Sequence, residues 1–104
     1  MARLLAILLF TTAYFSTVRA QEGSIEAGHG YAQSICAQCH AVQEGQMWSP
    51  NPNAPAFSKI ANTPGVTGAA LLVILQTPHR EMPDLIIPAK DKADVVAYIL
   101  SLQR

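Results

Sequence analysis

The stretch that most constrains this chain is Cys36-Ala37-Gln38-Cys39-His40. Two thiols three positions apart at the end of a helix can reach the two vinyl groups on one edge of a porphyrin. The next residue, His40, then falls under the iron, and haem iron commonly takes a proximal histidine as its ligand. The pattern Cys-x-x-Cys-His therefore predicts covalent attachment of one c-type haem to Cys36 and Cys39, with His40 bound to the iron.

The two cysteines also allow three other interpretations. A thioredoxin-like redox pair needs a βαβ context, and the sequence shows no such context. Half of a zinc site needs a second cysteine pair, which is lacking; His29 and His79 are the remaining imidazoles. A structural disulfide is compatible with export from the cytoplasm.

A second iron ligand is predicted at Met82. Pro83 follows it and favours an extended backbone at Met82, so that the side chain is presented from a loop. Met82 lies 42 residues after His40, which is enough chain to cross from one haem face to the other. Met47 lies only seven residues after His40 and is too near to pass around the ring. His79 is the rival ligand; its ordinary role would be to face solvent or a haem propionate.

The first 20 residues, MARLLAILLFTTAYFSTVRA, have the layout of a secretory signal peptide. Arg3 provides a basic start, an apolar run follows, and Ala20 precedes the expected cleavage point. An uncleaved membrane anchor is the competing interpretation, but Leu4–Val18 has only 15 residues, short of the ~20 that a spanning helix needs. We expect a signal peptide at 1–20, a mature domain at 21–104, a periplasmic location and no stable membrane span after processing.

Charge and length narrow the class of protein further. The chain has 104 residues with seven basic and seven acidic side chains, and residues 21–104 keep five basic and seven acidic ones. A nucleic-acid-binding protein normally carries a basic excess, so that class is excluded. A mature chain of 84 residues has a marginal core and usually needs a staple, which a covalently bound haem would supply.

The periodicity of apolar residues predicts an all-α fold with about three main helices. No stretch alternates in the manner of a strand. Gly45–Pro55 and His79–Pro88 are expected to be loops. Asp91 is expected to open the last helix, with Asp94 reaching back to it as in a capping box. The earlier helical segments are a first helix at Ser24–Gln38 capped by Ser24, a short turn at Phe57–Ala61, and a second helix at Thr67–Gln76 capped by Thr67.

Taken together, these residues resemble those of class I cytochromes c, in particular the small exported bacterial monohaem kind. Cys36, Cys39 and His40 match the attachment motif of that family, and Met82-Pro83 matches its distal ligand segment. Gly28 matches the glycine at which the first and last helices of the fold cross closely. Pro55-Ala56-Phe57 resembles the Pro-x-Leu segment, which implies that the Pro55 carbonyl accepts a hydrogen bond from the proximal His40.

The resemblance implies a cytochrome c fold wrapped around one covalently bound haem. The implied function is that of a periplasmic one-electron carrier, which is not an enzyme and has no catalytic residue. It would be a monomer that docks transiently with redox partner proteins, and Arg80 is the expected charged residue at the rim. One alternative is a haem subunit of an exported dehydrogenase or oxidase complex, with Trp48 and Ile86-Ile87 as its apolar contact patch. The other is a haem-based gas binder or sensor.

Overall fold

The computed structural model of the protein describes residues 22–77, 79, 81, 82 and 85–104. Within these ranges the chain forms helices and no strand, so the predicted all-α class is confirmed. No helix in this part of the chain has the length and hydropathy needed to cross a membrane. The expected signal peptide at 1–20, Arg80 and Pro83 lie outside the described residues. The elements are α1 (Ile25–Ser34), a 3₁₀ turn (Cys36–Gln38), α2 (Phe57–Ala61), α3 (Gly68–Gln76) and α4 (Ala89–Ser101).

Helix α1 begins where the sequence predicts and ends earlier. The Ser24 hydroxyl accepts a hydrogen bond from the Ala27 N–H at 3.2 Å, which confirms Ser24 as the N-cap. Beyond Ser34 the chain tightens into the 3₁₀ turn. The prediction of one continuous helix to Gln38 is therefore wrong. The Cys36 carbonyl accepts from both the Cys39 and the His40 N–H groups, at 3.1 and 2.9 Å. The cysteine motif therefore lies on a tight turn after the helix.

Helices α2 and α3 confirm the local predictions. Helix α2 has the predicted bounds. The Thr67 hydroxyl accepts from the Ala70 N–H at 3.1 Å and caps α3, which ends before Thr77 because a proline follows that residue.

Helix α4 begins two residues earlier than expected, at Ala89, with Pro88 as its N-cap. The predicted capping box between Asp91 and Asp94 is wrong. The carboxylate of Asp94 instead accepts from the Ser24 N–H at 2.7 Å and from the Lys90 ammonium at 2.6 Å. Asp94 is only 3% exposed, and these contacts fasten the start of α1 to α4.

Helices α1 and α4 cross in close contact at Gly28. A Cβ atom at Gly28 would lie 1.9 Å from the Asp94 carbonyl oxygen, so a side chain has no room there. This confirms the expected glycine crossing. A second close approach, of Gly23 to the Ala93 carbonyl, was not predicted. Around the crossing lies the hydrophobic core, built from Ala32, Cys36, Val42, Phe57, Ala61, Leu71, Val95, Val96, Tyr98, Ile99 and Leu102.

Candidate functional site

Cys36 begins the 3₁₀ turn that follows α1, and Cys39 is the residue at the end of that turn. Both are free thiols; Cys36 is buried and Cys39 is half-buried. Burial raises the pKa of the Cys36 thiol to about 11. Disulfide oxidoreductases depend on a cysteine whose pKa is lowered, so the environment of Cys36 argues against a thioredoxin-like redox pair.

The imidazole of His40 is fixed by a hydrogen bond to the proline loop. Its Nδ1 lies 2.7 Å from the Pro55 carbonyl oxygen. Because a carbonyl oxygen can only accept, Nδ1 must carry the hydrogen, and the lone pair of a neutral ring is then on Nε2. Nε2 has no hydrogen-bond partner among the described residues. A histidine held in this way is oriented to offer Nε2 to a metal ion, and the hydrogen bond makes the ring a stronger donor.

Further hydrogen bonds hold the backbone on either side of His40. The Ala41 carbonyl accepts from the Phe57 N–H at 2.9 Å, and the Ala41 N–H donates to the Ser49 hydroxyl at 2.9 Å. The Cys39 carbonyl accepts from the Asn51 N–H at 3.1 Å. Sequence reasoning identified the proline loop but missed these two polar residues. Ser49 and Asn51 could have been found from their position on either side of Pro50. Because proline has no N–H of its own, its polar neighbours are left to form the hydrogen bonds of the loop.

Met82, the predicted second ligand, lies beside a cavity whose lining, among the described residues, includes none of Cys36, Cys39 and His40. This cavity has a volume of about 230 Å³ and lies between the end of α3 and residues 85–87. Met47, by contrast, is 75% exposed in the proline loop. His79 is exposed, and its Nδ1 lies 3.2 Å from the Thr77 carbonyl oxygen. Ligation of iron by Met82 stays a prediction.

Two large apolar side chains beside this cavity are exposed. Ile74 and Ile86 line the cavity, yet Ile86 is 98% exposed and Ile74 is 47% exposed. Large exposed apolar surface of this kind marks a binding site. Ile87 is buried, so its predicted membership of an apolar contact patch is wrong; Trp48, the other predicted member, is 86% exposed. Two free thiols and an imidazole with a free Nε2 within five residues fit a covalently attached haem, whereas the cavity beside Met82 is lined by a different set of residues.

A polar and aromatic cluster behind His40 has no counterpart among the predictions from the sequence. His29 is half-buried; its ring stacks on Tyr98 at 4.7 Å, and its Nε2 lies 2.9 Å from the Gln43 amide oxygen. The Tyr98 hydroxyl donates to the Val42 carbonyl at 2.5 Å. Burial, and then the charge of Glu44, raises the pKa of Tyr98, so the hydroxyl keeps the proton that it donates. The sequence held no local signal for this cluster, because its members are brought together only by the crossing of α1 and α4.

Comparison with known proteins identifies the family. No family model matches the chain, and no solved structure matches it. Among characterised proteins, it is similar to Cytochrome c-552 of Bradyrhizobium diazoefficiens. The two sequences are 35% identical over 80 residues, an alignment that covers 75% of this chain and 76% of the relative. At this identity and coverage, the chain belongs to the cytochrome c family.

Proposed function

We propose that the chain is a periplasmic one-electron carrier of the small class I monohaem type, with a single haem c. Cys36 and Cys39 would form the two thioether bonds, and His40 and Met82 would be the axial ligands. The observation that carries the proposal is the imidazole of His40. Its Nδ1 is bound to Pro55 and its Nε2 is left free, directly after two free thiols. Similarity to Cytochrome c-552 supports the same function.

The residues of the chain have separable tasks in this proposal. A haem held at this site supplies reversible one-electron chemistry through its iron. Pro55 holds the proton of His40 Nδ1 and makes the ring a better donor, which favours the oxidised state. Met82 offers a softer sulfur ligand, which raises the reduction potential relative to a second histidine. With both ligands in place no position is open to a substrate, so the chain itself performs no bond-making reaction.

Apolar side chains near Met82 would exclude water from the cofactor. Ile74, Leu75, Ile86 and Ile87 line the cavity beside it. Of these, Ile74 and Ile86 are exposed, and their removal from water would contribute about 25 cal/mol per Å² of apolar surface. This burial, together with two covalent bonds, would stabilise a mature chain whose own core is small.

The visible spectrum of the holoprotein tests the ligands. The wild type should be six-coordinate and low-spin, with a weak band at the red end of the spectrum in the oxidised state. Met82→Leu should abolish that band and allow the reduced protein to bind carbon monoxide rapidly. Met47→Leu is the matched control and should leave the band intact. A high-spin wild-type spectrum, or a band that survives Met82→Leu, contradicts the proposed ligation.

Haem number and location need separate measurements. Alkaline pyridine treatment should give one haem per chain that organic solvent does not extract. Cys36→Ala and Cys39→Ala should each leave at most one thioether bond. Fractionation should place the holoprotein in the periplasm, and its mass should correspond to a chain beginning at Gln21. A mass that retains residues 1–20 would contradict cleavage and favour an anchor.

A second candidate function is that of a haem subunit in an exported dehydrogenase or oxidase complex. It is favoured by the exposure of two large apolar side chains, Trp48 at 86% and Ile86 at 98%, which a permanent partner would cover. Gel filtration after native extraction separates the two functions. Elution as a monomer supports the free carrier, and co-elution with a larger complex supports the subunit.

A further inference from the structure

A row of four rings leads from helix α1 to the side chain of His40. The His29 and Tyr98 rings stack with centroids 4.7 Å apart and planes inclined by 28°. Tyr98 and Phe57 are 6.4 Å apart, and Phe57 and His40 are 5.4 Å apart. All three distances lie in the range in which aromatic rings attract one another. The orientation of His40 is therefore linked by contact to a histidine eleven positions earlier in the chain.

The same residues also hold the backbone that leaves His40. Tyr98 binds the Val42 carbonyl through its hydroxyl. His29 binds the side chain of Gln43 at 2.9 Å, and because an amide oxygen only accepts, the His29 Nε2 carries the hydrogen. The Gln43 N–H in turn donates to the Gln46 side chain at 3.2 Å. Residues 42 and 43 are thus fixed to α1 and α4 by side chains, in addition to the bonds that fix residue 41.

The position of His29 depends on the close crossing of the two helices. Gly28, its neighbour, lies against the Asp94 carbonyl, and a Cβ there would be 3.0 Å from the Tyr98 Cβ. This proximity brings α1 near enough for the next residue to stack on the Tyr98 ring. The helix crossing therefore sets where His29 meets α4.

We propose that His29 is a positioning residue for the axial ligand His40, acting through the rings of Tyr98 and Phe57 and through Gln43. The inference rests on the proposed function, because it takes His40 to bind the haem iron. His29 does not touch the ligand itself. It holds Tyr98 and residues 42–43 in the arrangement in which the His40 Nδ1 lies 2.7 Å from the Pro55 carbonyl oxygen.

Loss of His29 has a definite consequence at His40. Without the stacked ring and the bond to Gln43, Tyr98 and residues 42–43 gain freedom, and the bond from His40 Nδ1 to Pro55 weakens. A weaker bond makes the imidazole a poorer donor and favours the reduced state. The midpoint potential of the holoprotein should therefore rise. The Nδ1 proton of His40 should also exchange with solvent faster, by about threefold to tenfold if one aromatic pair is lost.

The experiment compares His29→Ala with His29→Phe in the complete holoprotein. The phenyl ring of His29→Phe keeps the stack on Tyr98 and loses the bond to Gln43. Its midpoint potential and its His40 Nδ1 proton exchange should therefore lie between those of the wild type and those of His29→Ala. Gln43→Ala removes only the hydrogen bond and should shift both readouts in the same direction by a smaller amount. Gln33→Ala, an exposed residue on the same helix, is the control and should leave both unchanged. The readouts are the midpoint potential and the exchange rate of the His40 Nδ1 proton, observed by NMR in the reduced protein.

The outcomes separate this inference from the proposed function. A His29→Ala protein that loses stability while its potential and proton exchange match the wild type would show a merely structural role and overturn the inference. If His29→Ala fails to accumulate, Gln43→Ala and His29→Phe decide by the same two readouts. A wild-type spectrum without an iron-bound imidazole overturns the proposed function itself. If the wild-type iron is bound by an imidazole but the variants keep the wild-type midpoint potential and proton exchange rate, only the role of His29 is overturned.

Discussion

Substitution of Gly28 by alanine tests the helix crossing on which the site depends. The added methyl group would lie 1.9 Å from the Asp94 carbonyl oxygen and 2.4 Å from its carbonyl carbon. Ordinary contact between nonbonded heavy atoms needs about 3.5 Å, so the helices must separate by roughly 1.5 Å. The obstacle is backbone, which cannot rotate away as a side chain can. We expect the upper part of the range for overpacked cores, about 3 kcal/mol.

The intrinsic preference of alanine for a helix offsets part of this loss in stability. Alanine is favoured over glycine inside a helix by about 0.8–1 kcal/mol, so the net loss in the free energy of unfolding should be about 2 kcal/mol. Gly30 offers a matched control, because it lies in the same helix and a Cβ there would meet nothing within 4 Å. Gly30→Ala should raise the free energy of unfolding by up to about 1 kcal/mol. The two variants should therefore differ by about 3 kcal/mol.

The assay is guanidinium unfolding of the oxidised holoprotein, followed by far-ultraviolet circular dichroism and extrapolated to water. For a domain of this size, a loss of about 2 kcal/mol lowers the melting temperature by about 8–16 °C. A Gly28→Ala protein that unfolds within about 0.5 kcal/mol of the wild type, the range of ordinary surface substitutions, would refute the expected steric conflict at the crossing. Equal destabilisation of Gly30→Ala and Gly28→Ala would also refute it, since the loss would then have no connection with the crossing.

Three further substitutions test other contacts. Hydrogen bonding by Lys90, and then by the Ser24 N–H, lowers the pKa of Asp94 from its ordinary value of 3.8. The Asp94 carboxylate therefore makes its full contribution to stability above about pH 4. That contribution disappears as the pH falls through the lowered pKa of the folded protein. Asp94→Asn should therefore be less stable than the wild type at neutral pH and approach it in stronger acid, as urea midpoints across pH would show; a pH-independent difference would refute this. Thr67→Ala should cost about 1 kcal/mol by loss of the α3 cap, whereas Thr63→Ala, outside the helix, should cost less in the same titration. Phe57→Ala should cost about 3–5 kcal/mol, because the ring is buried, and a loss below about 1 kcal/mol would contradict its place in the core.

Local signals account for the parts of the fold that the sequence predicts well. Ser24 and Thr67 cap their helices through N–H groups three residues away, so both partners lie in one short window of sequence. Helix α2 is also confirmed, although its N-cap, Ala56, makes no side-chain hydrogen bond. The cysteine motif is also local, since two thiols and an imidazole within five residues are recognisable wherever the fold places them. Gly28 was predicted through the family resemblance, because a glycine by itself does not reveal which helix it meets.

Asp94 illustrates what local sequence does not contain. Its spacing from Asp91 favours a capping box, yet its carboxylate binds Ser24, which is 70 residues away. Helix α4 begins earlier, at Ala89, so Asp91 and Asp94 both lie inside the helix, and the Asp94 carboxylate joins α4 to the start of α1. His29 has the same origin: its stack on Tyr98 arises only after the helices cross.

The sequence alone determined the helical class, most helix ends and the Cys-x-x-Cys-His motif, since these depend on neighbours within about one turn of the chain. The tertiary structure decided which partners those residues meet. It placed the Pro55 carbonyl on the His40 Nδ1 across 15 residues. It also exposed Trp48 while burying Ile87, a distinction that hydrophobicity alone cannot draw. The physical reason is that a hydrogen bond or a burial needs two surfaces, and the second surface is supplied by a part of the chain that only folding brings near.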